Sequence, residues 1–260
     1  VSGMVGLPDG GLMVAGGNML YRFDANGQKL WEKKPFDAPA GDNHNAQVTA
    51  MCMLYDGNIL AAGEYYHHPS DNSQIAYACV ARYDTDGNVV WMDKAQGEYI
   101  ERQFYYAKAT EDGGFILSGH DMGRTYMSKH NAVGTTEWVY TNPRSTAYSI
   151  YNSIIETSEG YLAAGAEDGG NINYSHYKNT MLLRIGKDGK VIERTTLFDG
   201  LDQLAWLIGR SGDNFLVVGN RNDDGLQQHA TFVKATINRA ASYQPQHGWK
   251  KEGGGWYYYI

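Results

Sequence analysis

Five times along this chain the same string recurs: an apolar strand, a turn containing glycine, a second apolar strand and a closing glycine. The copies read MVGLPDGGLMVAGG (4–17), MCMLYDGNILAAGE (51–64), YAKATEDGGFILSGH (106–120), IIETSEGYLAAGA (154–166) and LIGRSGDNFLVVGN (207–220). Their closing glycines are Gly16, Gly63, Gly119, Gly165 and Gly219. A spacing of roughly 50 residues exceeds that of leucine-rich repeats and suits propeller blades. A second hairpin follows in most copies: LYRFDANGQKLW (20–31), CVARYDTDGNVVW (79–91), YMSKHNAVGTTEW (126–138) and MLLRIGKDGKVIE (181–193). Each is a strand, a turn ending in Gly, and a strand ending in Trp or Glu. Asn-Gly and Asp-Gly supply the positive φ that tight hairpins require. The fifth copy has a third strand, ATFVKATI (230–237), and no clear fourth.

Each unit is therefore expected to be four antiparallel strands, A to D. A single such sheet cannot bury both faces, and stacking neighbours face to face supplies the missing partner. Radial closure leaves only short, protected edges. The expected fold is all-β, a β-propeller of about five four-stranded antiparallel blades over residues 1–238, with room for further blades beyond residues 1–260. Composition agrees: 32 Gly and 20 Tyr against only 6 Pro fit many tight turns joining pleated, half-buried strands. Trp31, Trp91 and Trp138 end the fourth strands, and this regular placement assigns them to packing between blades rather than to a sugar platform. Val1 enters a strand almost at once, so any leader is expected to lie outside these residues.

Charge excludes some partners. The 29 acidic and 22 basic residues are interspersed, for a net charge of −7. With no basic stripe, neither nucleic acid nor an anionic bilayer is an expected partner. No apolar run approaches the ~18–20 residues of a membrane helix. Cys52 and Cys79 fall on the first and third strands of the second unit, ~10 Å apart across the sheet. A disulfide needs Cα atoms within ~7 Å, so two free, buried cysteines are expected.

The second hairpin resembles the blade repeat of quinoprotein-type (PQQ-like) propellers, in which Asp, a short turn and Gly precede Trp. Asp24 to Trp31 and Asp84 to Trp91 match; Asn131 to Trp138 and Gly186 to Glu193 depart further. The resemblance implies architecture. The chain has no adjacent cysteines, unlike quinone enzymes of that type, so no quinone chemistry and no cofactor are expected. The run Asp84-Thr85-Asp86-Gly87-Asn88 begins like a calcium loop but lacks the distant bidentate Glu, and is expected to be a hairpin turn. It is also similar to the Asp-box of sialidases, but Trp comes one residue later. Arg102, Arg124, Arg144 and Arg221, assigned to different loops, form no arginine cluster in the sequence.

After Asn238 the repeat stops. Residues 239–247 read as a linker, and GWKKEGGGWYYYI (248–260) resembles a partial cell-wall-binding repeat of the choline-binding or glucan-binding type. Gly248-Trp249, Gly254 and Trp256-Tyr257-Tyr258 fall at the matching positions. The resemblance implies that Trp249, Trp256 and Tyr258 contribute to a site assembled between successive repeats. Choline would be held there by cation–π attraction, or a glycan by stacking. It also implies a secreted protein at a Gram-positive cell wall or surface. The same residues, WYYYI, could instead complete the fifth blade as its missing strand, and the two readings are compatible.

Loop lengths give the functional face. The A–B and C–D turns are tight, whereas the B–C loops 64–75, 120–126, 166–179 and 220–229 and the D–A loops 37–45 and 141–149 are read as long. In a propeller these share one face, where ligand contacts concentrate. Candidate contacts are Tyr65, Tyr66, His67, His68, His120, Asp121, Tyr174, His176 and Tyr177, since Tyr is common in recognition surfaces. His44 and His229 lie in the same loops, but no spacing matches a metal-ligand motif, and no metal is expected. The first expectation is a non-enzymatic binding or scaffold domain that recognises a glycan or protein on this face. The alternatives are a propeller glycoside hydrolase, with carboxylates drawn from Glu64, Asp121, Glu167 and Asp223, and a structural spacer.

Overall fold

A computed structural model describes residues 1–37, 45–67, 75–95, 102–121, 124–142, 150–168, 178–198, 204–211, 214–223, 227–236, 248–252 and 255–259. Alternating apolar residues punctuated by Gly produce strands almost throughout. In chain order these are β1 (Gly3–Gly6), β2 (Leu12–Gly16), β3 (Met19–Phe23), β4 (Lys29–Lys33), β5 (Asn45–Met53), β6 (Ile59–His67) and β7 (Ile75–Tyr83). There follow β8 (Val89–Ala95), β9 (Arg102–Ala109), β10 (Phe115–Asp121), β11 (Arg124–His130), β12 (Thr136–Thr141), β13 (Ile150–Thr157) and β14 (Gly160–Asp168). The last are β15 (Lys178–Gly186), β16 (Val191–Phe198), β17 (Leu204–Ser211), β18 (Asn214–Asp223), β19 (Gln227–Thr236), β20 (Gly248–Glu252) and β21 (Gly255–Tyr259).

The chain divides into two compact units, Val1–Thr141 and Asn142–Ile260. The first contains three antiparallel meanders, β1-β2-β3-β4, β5-β6-β7-β8 and β9-β10-β11-β12. Within it β1 packs on β5 and β5 on β9, so the first strands of successive sheets are neighbours. The second contains β13-β14-β15-β16 and a five-stranded sheet, β17-β18-β19-β21-β20, in which β13 packs on β17. The chain is all-β, and its sheets are the blades of a β-propeller of about five.

Three devices repeat from sheet to sheet, and together they explain the recurring sequence. The turn between third and fourth strands opens on a capping Asp or Asn. Asp84 Oδ1 accepts the amides of Asp86 (3.0 Å) and Asn88 (2.8 Å), and Asp24 and Asn131 do the same in their sheets. These side chains serve the backbone, as expected of hairpin turns. The turn glycine has a second duty. Gly87 (φ +74°) lies under the Trp31 ring of the preceding sheet, whose Cη2 would be 2.5 Å from any Cβ there, and Gly134 holds Trp91 likewise. Trp31 and Trp91 therefore do pack between blades. Lys33 Nζ reaches the Asp86 carbonyl (2.8 Å) and Arg82 the Ala132 carbonyl (2.7 Å), reinforcing the same two junctions.

The third device was not foreseen. A base on the third strand pairs with an acid in the turn between the first two: Arg22 with Asp9, Arg82 with Asp56, Lys129 with Asp112 (2.8 Å) and Arg184 with Glu159 (2.8 Å). Each base occupies the same register position, opposite Met13, Leu60, Ile116 and Leu162 of the second strand. Lys129 is only 1% exposed and has a second partner in Glu137 (2.9 Å). Burial raises the Asp112 carboxyl, but the Lys129 ammonium, the Thr110 hydroxyl and the Gly114 amide outweigh it and hold the group at about 2.

Apolar cores lie between neighbouring sheets. Ala50, Leu60, Ala62, Ala78 and Val80 of the second sheet meet Phe104, Phe115, Leu117 and Tyr126 of the third. Ala15, Leu20, Ala61, Ala81 and Tyr83 form a second cluster around Phe36. Phe36 is fully buried at φ +59°, and its amide donates to the Tyr83 hydroxyl (2.8 Å). Neither Cys52 nor Cys79 is in a disulfide; Cys79 is buried and Cys52 half-buried.

Candidate functional site

The closing glycine marks a β-bulge. In the second sheet Val48 pairs with Gly63 and Ala50 with Ala62, leaving Thr49 as the extra residue. The extra residue is Tyr105 in the third sheet, Asn152 in the fourth and Trp206 in the fifth. A Cβ on Gly63, Gly119 or Gly165 would strike the carbonyl oxygen of Gln47, Gln103 or Ile150 on the bulged strand. The glycine thus admits the bulge, and a bulge re-aims side chains at the end of a strand.

The bulges lie toward the open end of the sheets, where first strands begin, second strands end and third strands begin. Here the repeat changes character. The residue after the closing glycine is Glu64 in the second sheet, facing Gln47, and His120 in the third, facing Gln103. The same positions of the fourth sheet hold Ala166 and Ile150. Glu64 is 6% and His120 5% exposed. Burial pushes the Glu64 carboxyl above its ordinary range. Thr49 places its hydroxyl between the carbonyls of Ala62 (3.3 Å) and, across the junction, Phe104.

The two faces of the third sheet differ at this end. One carries Arg102 and Asp121, joined by two hydrogen bonds from Nε (3.2 Å) and Nη2 (2.6 Å) to a single carboxylate oxygen. The Arg102 guanidinium also lies 4.4 Å above the Tyr126 ring. Asp121 shares this face with Leu117 and Phe115, which pack on the second sheet, while Glu64 shares its face with Ala62 and Leu60, which pack on the third. The other face carries Gln103, Tyr105, His120 and Thr125. There the Tyr105 ring stacks on His120 with centroids 5.5 Å apart, and its hydroxyl donates to Gln103 Oε1.

The expected contact residues fare unequally. The ladder pairs His120 with Thr125 and Asp121 with Arg124, so these residues of the expected 120–126 loop lie on strands. The same holds for most of 220–229, where β18 runs to Asp223 and β19 starts at Gln227. Polar residues can prolong a ladder when their cross-strand neighbours are polar too, so polarity alone does not mark a loop here. Tyr65, Tyr66 and His67 likewise lie on β6, with Tyr65 buried. Arg102, Arg124 and Arg221 stand on strands. His68, Tyr174, His176 and Tyr177 lie outside the described residues, as do His44 and Arg144. Trp249, Trp256 and Tyr258 belong to the hairpin of β20 and β21, whose register sets Trp249 opposite Tyr258 and Lys251 opposite Trp256. β21 also pairs with β19 in parallel, through Ala235↔Tyr258 and Thr236↔Tyr259. Gln47, Gln103, Tyr105 and Arg102 were missed as a group. Aligning the copies on their closing glycines sets Thr49 beside Tyr105, each fourteen residues upstream, and Asn152 beside Trp206, each thirteen upstream.

Other chemistry finds little footing. Among the described residues no three His, Cys, Asp or Glu groups come together as metal ligands. A groove of about 460 Å³ at the tight-turn end is lined by Cys52, Met53, Leu54, Tyr55, Lys108 and Ala109. Burial pushes the Cys52 thiol up to about 12, so it is not a nucleophile at neutral pH.

No family model and no curated protein matches the chain. Among solved structures it is similar to a protein of unknown function from Bacteroides caccae, with a TM-score of 0.55 and 13% identity over 90% of this chain and 77% of that one. It is also similar to Drosophila Plexin A in complex with Semaphorin 1b and to the extracellular domains 1–2 of Drosophila Semaphorin 1b. Each gives a TM-score of 0.54 at 12% identity over 90% of this chain, which spans only 51% of theirs. These likenesses speak for the propeller fold alone.

Proposed function

We propose that the chain is a non-enzymatic recognition module of a secreted, wall-associated Gram-positive protein, binding a glycan or protein at the open end of its blades. One observation carries the reading. The repeat is structural nearly everywhere, but at the open end of the second and third sheets Gln47, Glu64, Gln103 and His120 replace the apolar Ile150 and Ala166 of the fourth. A polar, partly aromatic surface on a rigid scaffold is what a binding face requires. The terminal hairpin adds a second contact, to wall choline or glycan, through Trp249, Trp256 and Tyr258. The test is an array of wall glycans and wall proteins, probed with the 260-residue chain and two double variants. Loss of binding in Gln47→Ala/Gln103→Ala supports the blade face. Loss only in Trp249→Ala/Trp256→Ala moves recognition to the hairpin, and no binding by the native chain refutes the reading.

A second reading has its own observation. Glu64 is buried with a raised carboxyl and is directed toward the sheet that carries Asp121, which Arg102 grips. Two carboxyls in unlike environments, one buried and one held by an arginine, suit acid–base work at a glycosidic bond. Release of reducing ends from wall glycan, abolished in Glu64→Gln, would establish a glycoside hydrolase instead.

A further inference from the structure

We propose that Tyr105, Gln103 and His120 form a subsite for one neutral sugar ring on the third sheet, with Tyr105 as its stacking platform. The proposal rests on the reading that this end recognises a ligand, and narrows that ligand to a neutral glycan.

The backbone argument comes first. Gly119 admits the bulge, and the bulge makes Tyr105 an additional side chain on the face that already bears Gln103 and His120. Tyr105 is 38% exposed, and among the residues whose burial is described only it and Tyr55 are exposed aromatics. Tyr55 belongs to a turn at the opposite end.

The ring is also held in place. His120 supports it from behind, and Gln103 anchors its hydroxyl. A platform fixed before binding loses little rotamer freedom on binding. His120 is buried beneath it, so the imidazole serves as a support and not as a surface group.

Charge selects the class of ligand. The ionic groups at this end of the sheet, Arg102, Asp121 and Arg124, occupy the opposite face by register, and Arg102 and Asp121 satisfy each other. Tyr105's face offers a π surface and, beside it, the Gln103 carboxamide; the Thr125 hydroxyl on the same face is fully buried, out of a ligand's reach. Apolar C–H faces of a pyranose fit the ring, and its hydroxyls fit the carboxamide. Few convergent polar groups beside an aromatic surface are the usual make-up of a small-molecule site.

The test is calorimetric titration of the 260-residue chain with chitotetraose, cellotetraose, laminaritetraose and maltotetraose. Trigalacturonate and choline chloride are run as separate arms. At least one neutral oligosaccharide is expected to bind. Tyr105→Ala should weaken that binding about tenfold or more, and Gln103→Ala should weaken it about fivefold. Tyr105→Phe, which keeps the ring, should stay within about threefold of the native chain. Trp249→Ala/Trp256→Ala should leave the affinity unchanged. If Tyr105→Ala does not fold, the contrast between Gln103→Ala and Tyr105→Phe carries the test. A neutral oligosaccharide that binds all Tyr105 and Gln103 variants equally overturns the subsite but leaves recognition elsewhere on the chain intact. Binding of trigalacturonate or choline alone overturns the neutral class. Binding of none of these probes overturns the subsite, and the array described above then decides separately whether a recognition module remains.

Discussion

At the tight-turn end of the third sheet Lys129 is fully buried and answered from both sides, by Asp112 and Glu137. At the open end of the same sheet His120 is almost as deeply buried, but beneath Tyr105, which is itself exposed. The first arrangement recurs in other sheets as Arg22 with Asp9, Arg82 with Asp56 and Arg184 with Glu159. The second does not recur: the fourth sheet places Ala166 where the third places His120. A repeat protein thus separates two kinds of position on one strand. Where the same chemistry returns in each copy, it holds the sheet together. Where the backbone returns but the side chains change, the chain is free to acquire a ligand.

This contrast can be broken by substitution. The largest effect is expected for Gly119→Ala at the open end, because the new Cβ meets the Gln103 carbonyl, which is backbone and cannot turn aside. A loss of about 3 kcal/mol or more in urea unfolding is expected; a loss below about 1 kcal/mol would mean that the bulge does not need its glycine. Next comes Lys129→Met at the other end. Asp112 and Glu137 remain half-exposed and hydrated, so the loss should be about 2 kcal/mol at pH 7, less than for a wholly buried pair. Its pH dependence carries more information. The Asp112 carboxyl is depressed in the folded chain, so its stabilisation is complete above the ordinary 3.8 and vanishes as pH falls through about 2. The gap between native and variant should close over that window, and a constant gap would dissociate Lys129 from Asp112.

Smaller still is Gly57→Ala. Its Cβ would find nothing within 4 Å, and only the φ of +85° opposes it. A cost of about 1–2 kcal/mol is expected, and a cost equal to that of Gly119→Ala would remove the distinction between the two ends. The mildest change is Glu64→Gln. The Glu64 carboxyl is raised by burial, so the fold favours its neutral form. Ionisation then costs the folded chain more than the unfolded one. Native stability should fall relative to Glu64→Gln as pH rises from the ordinary 4.5 through the raised value. Parallel thermal midpoints for the two proteins across pH 4–8 would place Glu64 in water.

Much of the fold was legible in the chain because strand alternation and turn glycine act locally. The four-strand unit, the tight turns, the interblade Trp31 and Trp91 and the absence of a Cys52–Cys79 disulfide all followed from spacing. The open end was less legible. His120 and Asp121 read as loop because polarity is a one-dimensional signal, whereas their place on β10 depends on Thr125 and Arg124 across the ladder. The ion pairs between turn and third strand escaped for a similar reason: Asp56 and Arg82 are distant in sequence and meet only when the meander folds. Tyr105 was hidden most completely. Nothing in YYAKAT distinguishes a bulged tyrosine from a regular one. Only the carbonyl pressed against Gly119 does so.

The seating of Trp31 on Gly87, and of Trp91 on Gly134, has a consequence for how such a chain can change over time. The glycine is written in one copy, while the space beside it is claimed by the copy before. Each junction is therefore a directional nearest-neighbour coupling in a one-dimensional lattice. Cutting out one interior copy, or duplicating one, brings together a tryptophan and a turn that never evolved as a pair, whereas duplicating two adjacent copies carries one matched peg and socket along with it. Such an architecture is therefore better inherited in runs of adjacent copies than one unit at a time.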